Sequence, residues 1–165
     1  MKDMATIFEK IRTATTDYPV DVDGLAHSLG ITVLYLPMAD EISGTLVRKG
    51  ELYVITVNRN HSRTRQRFTL AHELGHYIHH RQIIGDGVND SKTYRTINSG
   101  AYFNPRISRR HETEANQFAA ALLMPQEIID DLRGQGLSVE EIAKKLEVSR
   151  QAASIRMDMP ISSRT

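Results

Sequence analysis

Apolar residues recur at helical spacing over residues 4–15, through Ile7, Phe8 and Ile11, and a second short helix fits residues 22–29 before Gly30 stops it. From Ile31 the pattern changes to β-rich runs, ITVLYLP, SGTLVRKG and ELYVITVN, with Lys49-Gly50 as a tight turn between the last two. These runs predict a small, mainly antiparallel three-stranded sheet. Helical spacing returns over residues 64–80, with Phe68, Ala71, Gly75 and Ile78 near one side. Gly75 gives up roughly 1 kcal/mol of helix propensity against alanine, which implies close backbone packing against the sheet. Residues 80–110 hold many Gly, Asn, Asp and Ser residues without a sustained period, so a long loop of the kind that forms functional lids is expected there. Helices resume at about residues 110–123, 126–133, 138–147 and 150–157, followed by a short tail. The fold class is α+β: the sheet packs on the central helix, with further helices at both ends.

A chain of 165 residues has room for one domain, or one domain with a small appendage. With 40% hydrophobic and 25% charged residues it falls in neither the disordered nor the membrane class. A formal net charge of +1 with no block of like charge gives no general attraction to nucleic acid or anionic lipid, so any such partner has to be argued locally. No stretch is long and apolar enough to span a bilayer, and the cytoplasm is the expected location. The absence of cysteine changes the picture most, because it removes every thiolate metal site and leaves only imidazole and carboxylate ligands.

The central helix carries His72-Glu73-Leu74-Gly75-His76, an HExxH motif. Spacing of i, i+4 puts the two imidazoles on one face, roughly 5–6 Å apart at Cβ, where one zinc ion can take both. Glu73 lies to the side of that face, placed to act as general base on a water activated at the metal. Bound zinc lowers the pKa of water from about 15.7 to about 7, worth roughly 12 kcal/mol of deprotonation cost, which no side chain alone supplies.

A catalytic zinc needs a third protein ligand and one open position. The metzincin pattern would require Gly at 79 and His at 82, where this chain has His79 and Gln82, and the inverted HxxEH order is absent. The remaining common solution is a carboxylate from a second helix, and HETEANQFAAALLMP offers Glu112 and Glu114. Against a core stripe of Ala115, Phe118, Ala119, Leu122 and Leu123, Glu112 lies about 50° from the centre and Glu114 about 110° away, which favours Glu112. Asn116, one turn on, can hydrogen-bond a ligand histidine and fix its tautomer. His79 and His80 are read as complements to the helix dipole rather than ligands.

RQRFTLAHELGHYIHH at residues 65–80, followed by EANQFAAALLMP at 114–125, resembles the ImmA/IrrE metallopeptidases. The likeness extends more weakly to DVDGLAHSLGITV and to the carboxyl-terminal stretch, and leaves out the 80–110 loop. It implies a gluzincin-like site of His72, His76 and Glu112 holding one zinc, Glu73 as catalytic base, and Asn116 behind the ligands. It further implies a protein substrate, a helix-turn-helix repressor whose cleavage derepresses genes of a mobile element or stress response. Tyr94, Tyr102 and His111 are unranked candidates for stabilising the oxyanion.

LSVEEIAKKLEVSRQAASIRM reads as a helix-turn-helix, with Ser138 and Glu141 forming a capping box and Ser149 capping the second helix. Arg150, Gln151, Ser154 and Arg156 are residues of the kind that read base edges, but near-zero net charge lacks a DNA binder's electrostatic excess, so direct DNA contact is not expected. The chain divides on this reading into a zinc metallopeptidase domain at 1–133 and, at 134–165, helix-turn-helix-like helices packed on it plus the tail. The rival reading is a non-enzymatic regulator or antitoxin-like binding module, with a structural zinc closed by four protein ligands and terminal helices that touch DNA or protein. It leaves Glu73 without a purpose.

Overall fold

The computed structural model describes residues 3–84 and 106–158. The segment 85–105, with Tyr94 and Tyr102 and most of the expected loop, and the tail beyond 158 lie outside the described residues. Two helices, α1 (Met4–Ala14) and α2 (Val22–Ser28), open the chain. Each is started by an aspartate: Asp3 accepts from the Ala5 amide and Asp21 from the Gly24 amide at 2.9 Å, satisfying donors the first turn leaves open. Ile7 from α1 and Val22, Leu25 and Ala26 from α2 are buried.

Strands β1 (Ile31–Leu36), β2 (Gly44–Lys49) and β3 (Leu52–Asn58) form one sheet in the order β1-β3-β2. The three strands and the α+β class agree with the sequence pattern, whereas the mainly antiparallel pairing does not. β3 runs antiparallel to β2 through the turn at Gly50, whose φ of 60° is open to glycine, and parallel to β1 from Ile31 opposite Tyr53 to Leu36 opposite Asn58. The sheet is mixed because the β1–β2 connection passes over the end of β3 instead of closing a hairpin. Buried Asn58 holds that connection: its amide nitrogen donates to the carbonyls of Ala39 (3.0 Å) and Ile42 (2.8 Å), and its oxygen accepts from the Met38 amide (3.2 Å). A side chain that satisfies three backbone groups of an irregular segment replaces the ladder such a segment lacks.

Helix α3 (Arg63–His80) lies against the sheet and packs along α4 (Arg109–Leu123). Gly75 sits at their contact, where an added methyl would lie 3.1 Å from Ala115 Cα and 3.2 Å from Phe118 Cδ1. The close approach implied by Gly75 is therefore to α4 and not to the sheet. The glycine facing the other way is Gly44: a methyl there would stand 2.6 Å from the Thr69 side chain and 2.8 Å from the Thr56 carbonyl oxygen. β2 thus presses on α3 as closely as α4 does from its side.

Helices α5 (Gln126–Gly134), α6 (Val139–Leu146) and α7 (Arg150–Asp158) complete the chain. Ser138 and Glu141 form the expected capping box, and Ser149 Oγ accepts from the Ala152 amide at 3.0 Å. Ile142, Leu146, Ala153 and Met157 join the same core as Ile7, Leu46 and Leu74. Glu147, between α6 and α7, has φ 52°, and its carboxylate pairs with Arg63 at 3.1 Å and with buried Arg67 at 3.5 Å, so this turn is tied to the start of α3.

Gly75→Val places a branched side chain against α4 backbone that cannot yield cheaply. Overpacking of this kind typically destabilises by about 1–3 kcal/mol. The variant's urea midpoint should fall accordingly, and an unchanged midpoint would show that the two helices can separate without penalty.

Candidate metal centre

One face of α3 carries His72, His76 and His80 a turn apart, with successive ring centroids at 4.7 and 5.1 Å. Their exposures are 2%, 0% and 6%, and Glu73 is fully buried. Ionisable groups removed from water must be hydrogen-bonded, paired or bound to a metal, so the partners of each define what the site can do. His72 Nδ1 lies 2.8 Å from Asn116 Oδ1. An amide oxygen only accepts, so His72 Nδ1 carries a proton and, in the neutral ring, Nε2 presents a bare lone pair.

That nitrogen is 3.1 Å from His76 Nε2. Glu112, from the first turn of α4, brings its carboxylate to the same place, with oxygens 3.4 Å from His72 Nε2 and 3.0 Å from His76 Nε2. Ligand atoms of the three residues all fall within 4.8 Å of one another. Both Glu112 oxygens are buried and, close as the imidazoles are, neither is aligned in a hydrogen bond. Two imidazole nitrogens converging in a dry interior with a carboxylate left unsatisfied fit a cation at their centre. Two imidazoles and a carboxylate without thiolate form a donor set of the kind that holds a divalent metal ion.

Of the two carboxylates the sequence offered, Glu112 is the one that lies against the two imidazoles. Glu114 turns instead to His80, whose Nε2 is 2.8 Å from Glu114 Oε2, while Arg110 Nε donates to Glu114 Oε1 at 2.8 Å. His80 also lies with Nδ1 3.0 Å from His76 Nδ1. Besides standing in the last turn of α3, where a basic group complements the helix dipole, it is a buried group that links His76 to Glu114. The signal was available, since residues 72, 76 and 80 share a face. His79 is exposed and meets Phe118 edge-on at 5.6 Å. His111 accepts from the Ser108 amide through Nδ1 in a helix cap and packs its ring 4.6 Å from that of His80. Glu73 points under the start of β2, where a methyl on Gly44 would stand 3.8 Å from its Oε1.

Burial pushes His76 down to about 4, and the neighbouring His72 acts in the same direction against the pull of Glu112. Burial also works against a charge on His72, but Glu112 and Glu73 together outweigh it and leave its pKa raised. Glu112 is lowered, since the two imidazoles overcome the upward effect of its burial. Contact with His80 and then Arg110 takes Glu114 down to about 2. The buried trio therefore accommodates one added positive charge, and a proton competes with a metal for it.

Residues 26–158 match the family described as the IrrE N-terminal-like domain. The radiation response metalloprotease IrrE of Deinococcus deserti is 36% identical over 138 residues, covering 81% of this chain and 45% of that protein. Its namesake in Deinococcus radiodurans is 38% identical over 104 residues, covering 61% and 29%. The metallopeptidase ImmA of Bacillus subtilis is 29% identical over 98 residues, covering 58% and 50%. The chain spans half or less of the length of these curated relatives. A solved Mycobacterium tuberculosis transcriptional regulator shares the fold, with a TM-score of 0.58 across 94% of this chain and 47% of that one, at 15% identity.

Zinc(II) titration of the purified chain should saturate at one ion, with His72→Ala or His76→Ala abolishing stoichiometric binding. Glu112→Gln should weaken zinc by more than the roughly 10–100-fold typical of changes behind a ligand. Chelator competition measures both, and stoichiometric zinc in either histidine variant would refute the cluster as the binding site.

Proposed function

Because the chain belongs to the ImmA/IrrE metallopeptidase family, we propose that it is a zinc metalloendopeptidase, with His72, His76 and Glu112 holding the ion and Glu73 acting as general base. The observation that carries this reading is the convergence of two imidazole nitrogens and a buried carboxylate beside a second, fully buried carboxylate. Zinc bound there supplies a Lewis acid that polarises a peptide carbonyl and makes water a competent nucleophile at neutral pH. The chain's own part is to position and to move protons. Asn116 holds the His72 ring, and Glu73 takes the proton of the attacking water and returns it to the departing amine nitrogen. With no side chain on Gly44, the start of β2 lies directly over Glu73, and an extended substrate running along β2 would bring its scissile carbonyl to the base.

The substrate we propose is a protein, a helix-turn-helix repressor whose cleavage derepresses genes of a mobile element or stress response. Its support is the family resemblance of the two sequence blocks and, for the stress setting, the radiation response named in the Deinococcus relatives. Such a substrate would place the reaction in the cytoplasm, and among the described residues no helix is long and apolar enough to cross a membrane. The terminal helices serve the same unit in this reading. Arg150 is paired with Glu140 at 2.7 Å and Arg156 donates to the Met124 carbonyl at 3.2 Å, so two of the side chains suited to reading DNA are engaged within the protein.

Glu73→Gln preserves size while removing the proton acceptor. The variant should keep its fold and its zinc, bind its protein partner, and lose about 10²–10⁴-fold in cleavage rate. Incubation with a candidate repressor and a repression reporter in cells read the two consequences. If Glu73→Gln relieved repression as well as the wild type, the peptidase reading would give way to a binding module with a structural metal.

A further inference from the structure

The hydrogen bonds on the far side of His76 have a fixed direction. Glu114 Oε2 is 2.8 Å from His80 Nε2, and a carboxylate held by Arg110 can only accept, so His80 Nε2 carries a proton. In a neutral ring the other nitrogen of His80 is then a bare acceptor. It faces His76 Nδ1 at 3.0 Å, a contact that needs one donor, and His76 must supply it. With its proton on Nδ1, His76 turns an unprotonated Nε2 toward Glu112 and His72. The buried position of His80, at 6% exposure, excludes competing water from this junction.

We infer that Arg110, Glu114 and His80 form a positioning relay that sets the tautomer of His76 and keeps its Nε2 lone pair directed into the metal cluster. The relay rests on the metal-centre reading above and adds to it a task for residues outside the ligand set. It also makes the two ligand histidines alike. His72 is oriented through Nδ1 by an amide from α4, and His76 through Nδ1 by an imidazole that α4 in turn orients. The carboxylate at the end of the relay reaches its ligand through an intervening ring, so its influence is on direction and basicity rather than on direct contact.

Three variants of the full chain test the relay. His80→Asn retains an acceptor near the position of the ring Nδ1, His80→Leu fills the site without one, and Glu114→Gln removes the charge that selects the His80 tautomer. Long-range proton–nitrogen NMR on the zinc-free chain should show His76 protonated at Nδ1 in the wild type and in His80→Asn, and a tautomer mixture in His80→Leu. Chelator competition with zinc(II) should show a 10–100-fold loss for His80→Leu, a smaller loss for Glu114→Gln, and near wild-type affinity for His80→Asn. Thermal unfolding without zinc checks that His80→Leu remains folded. A merely structural His80 would leave the tautomer alone and give Leu and Asn the same affinity, and either result overturns the relay. So does His76 protonated at Nε2 in the wild type. Failure of the wild type to bind zinc would count against the metal reading, while the tautomer, read without metal, decides the relay by itself.

Discussion

Most of this structure follows from burying four ionisable side chains on one helix within nine residues of sequence. His72, Glu73, His76 and His80 sit where the interior would ordinarily take aliphatic groups. Such burial is tolerable only when each polar atom finds a partner. The partners of the three histidines come from α4, which supplies Asn116, Glu112 and Glu114 to three successive turns of α3. The rotation of α4 about its axis, and its distance from α3, are set by this demand. The close contact at Gly75 is the geometric condition under which short side chains such as Asn116 can reach across.

The sheet meets the same demand from the other side. β2 approaches α3 at Gly44, and Asn58 keeps the segment before it in place, so the start of this strand stays over Glu73. The polar residues of the site lie between a strand and a helix that are each anchored elsewhere, and neither would have to be ordered on binding of the proposed substrate. A pre-set arrangement of this kind lowers the entropy lost on binding.

The sequence conveyed the elements almost residue by residue, because period and caps are local properties. Its run from Ile31 to Leu36 marked a strand as clearly as the structure does, yet a strand's alternation is the same whether its neighbour runs parallel or antiparallel. The position of β1 therefore depended on how residues 37–43 cross β3, information held by buried Asn58 rather than by any pattern. The inward phase of Glu112 was legible because a helical wheel resolves two residues that differ by 200° in phase. The wheel places Glu114 off the core stripe but does not say what stands opposite, and its link to His80 needs the relative rotation of two helices. His80 itself shared the face of His72 and His76, and only its position near the helix end argued for a lesser role.

The turn at Glu147 carries a conflict between local and distant preferences. A left-handed backbone favours glycine, and a glutamate there is held at a local disadvantage of roughly 1 kcal/mol. The side chain answers a need 80 residues earlier in the chain, as the anion beside Arg67, whose Nε and Nη2 are buried without a hydrogen-bond partner. Removing the carboxylate would leave the buried Arg67 guanidinium without its counter-charge, a larger loss than the backbone term. The frustration is thus concentrated in one residue and resolved by one long-range contact. A chain still lacking its first seventy residues would find the turn unfavourable, and the junction between α6 and α7 becomes stable only when the start of α3 is already there to meet it.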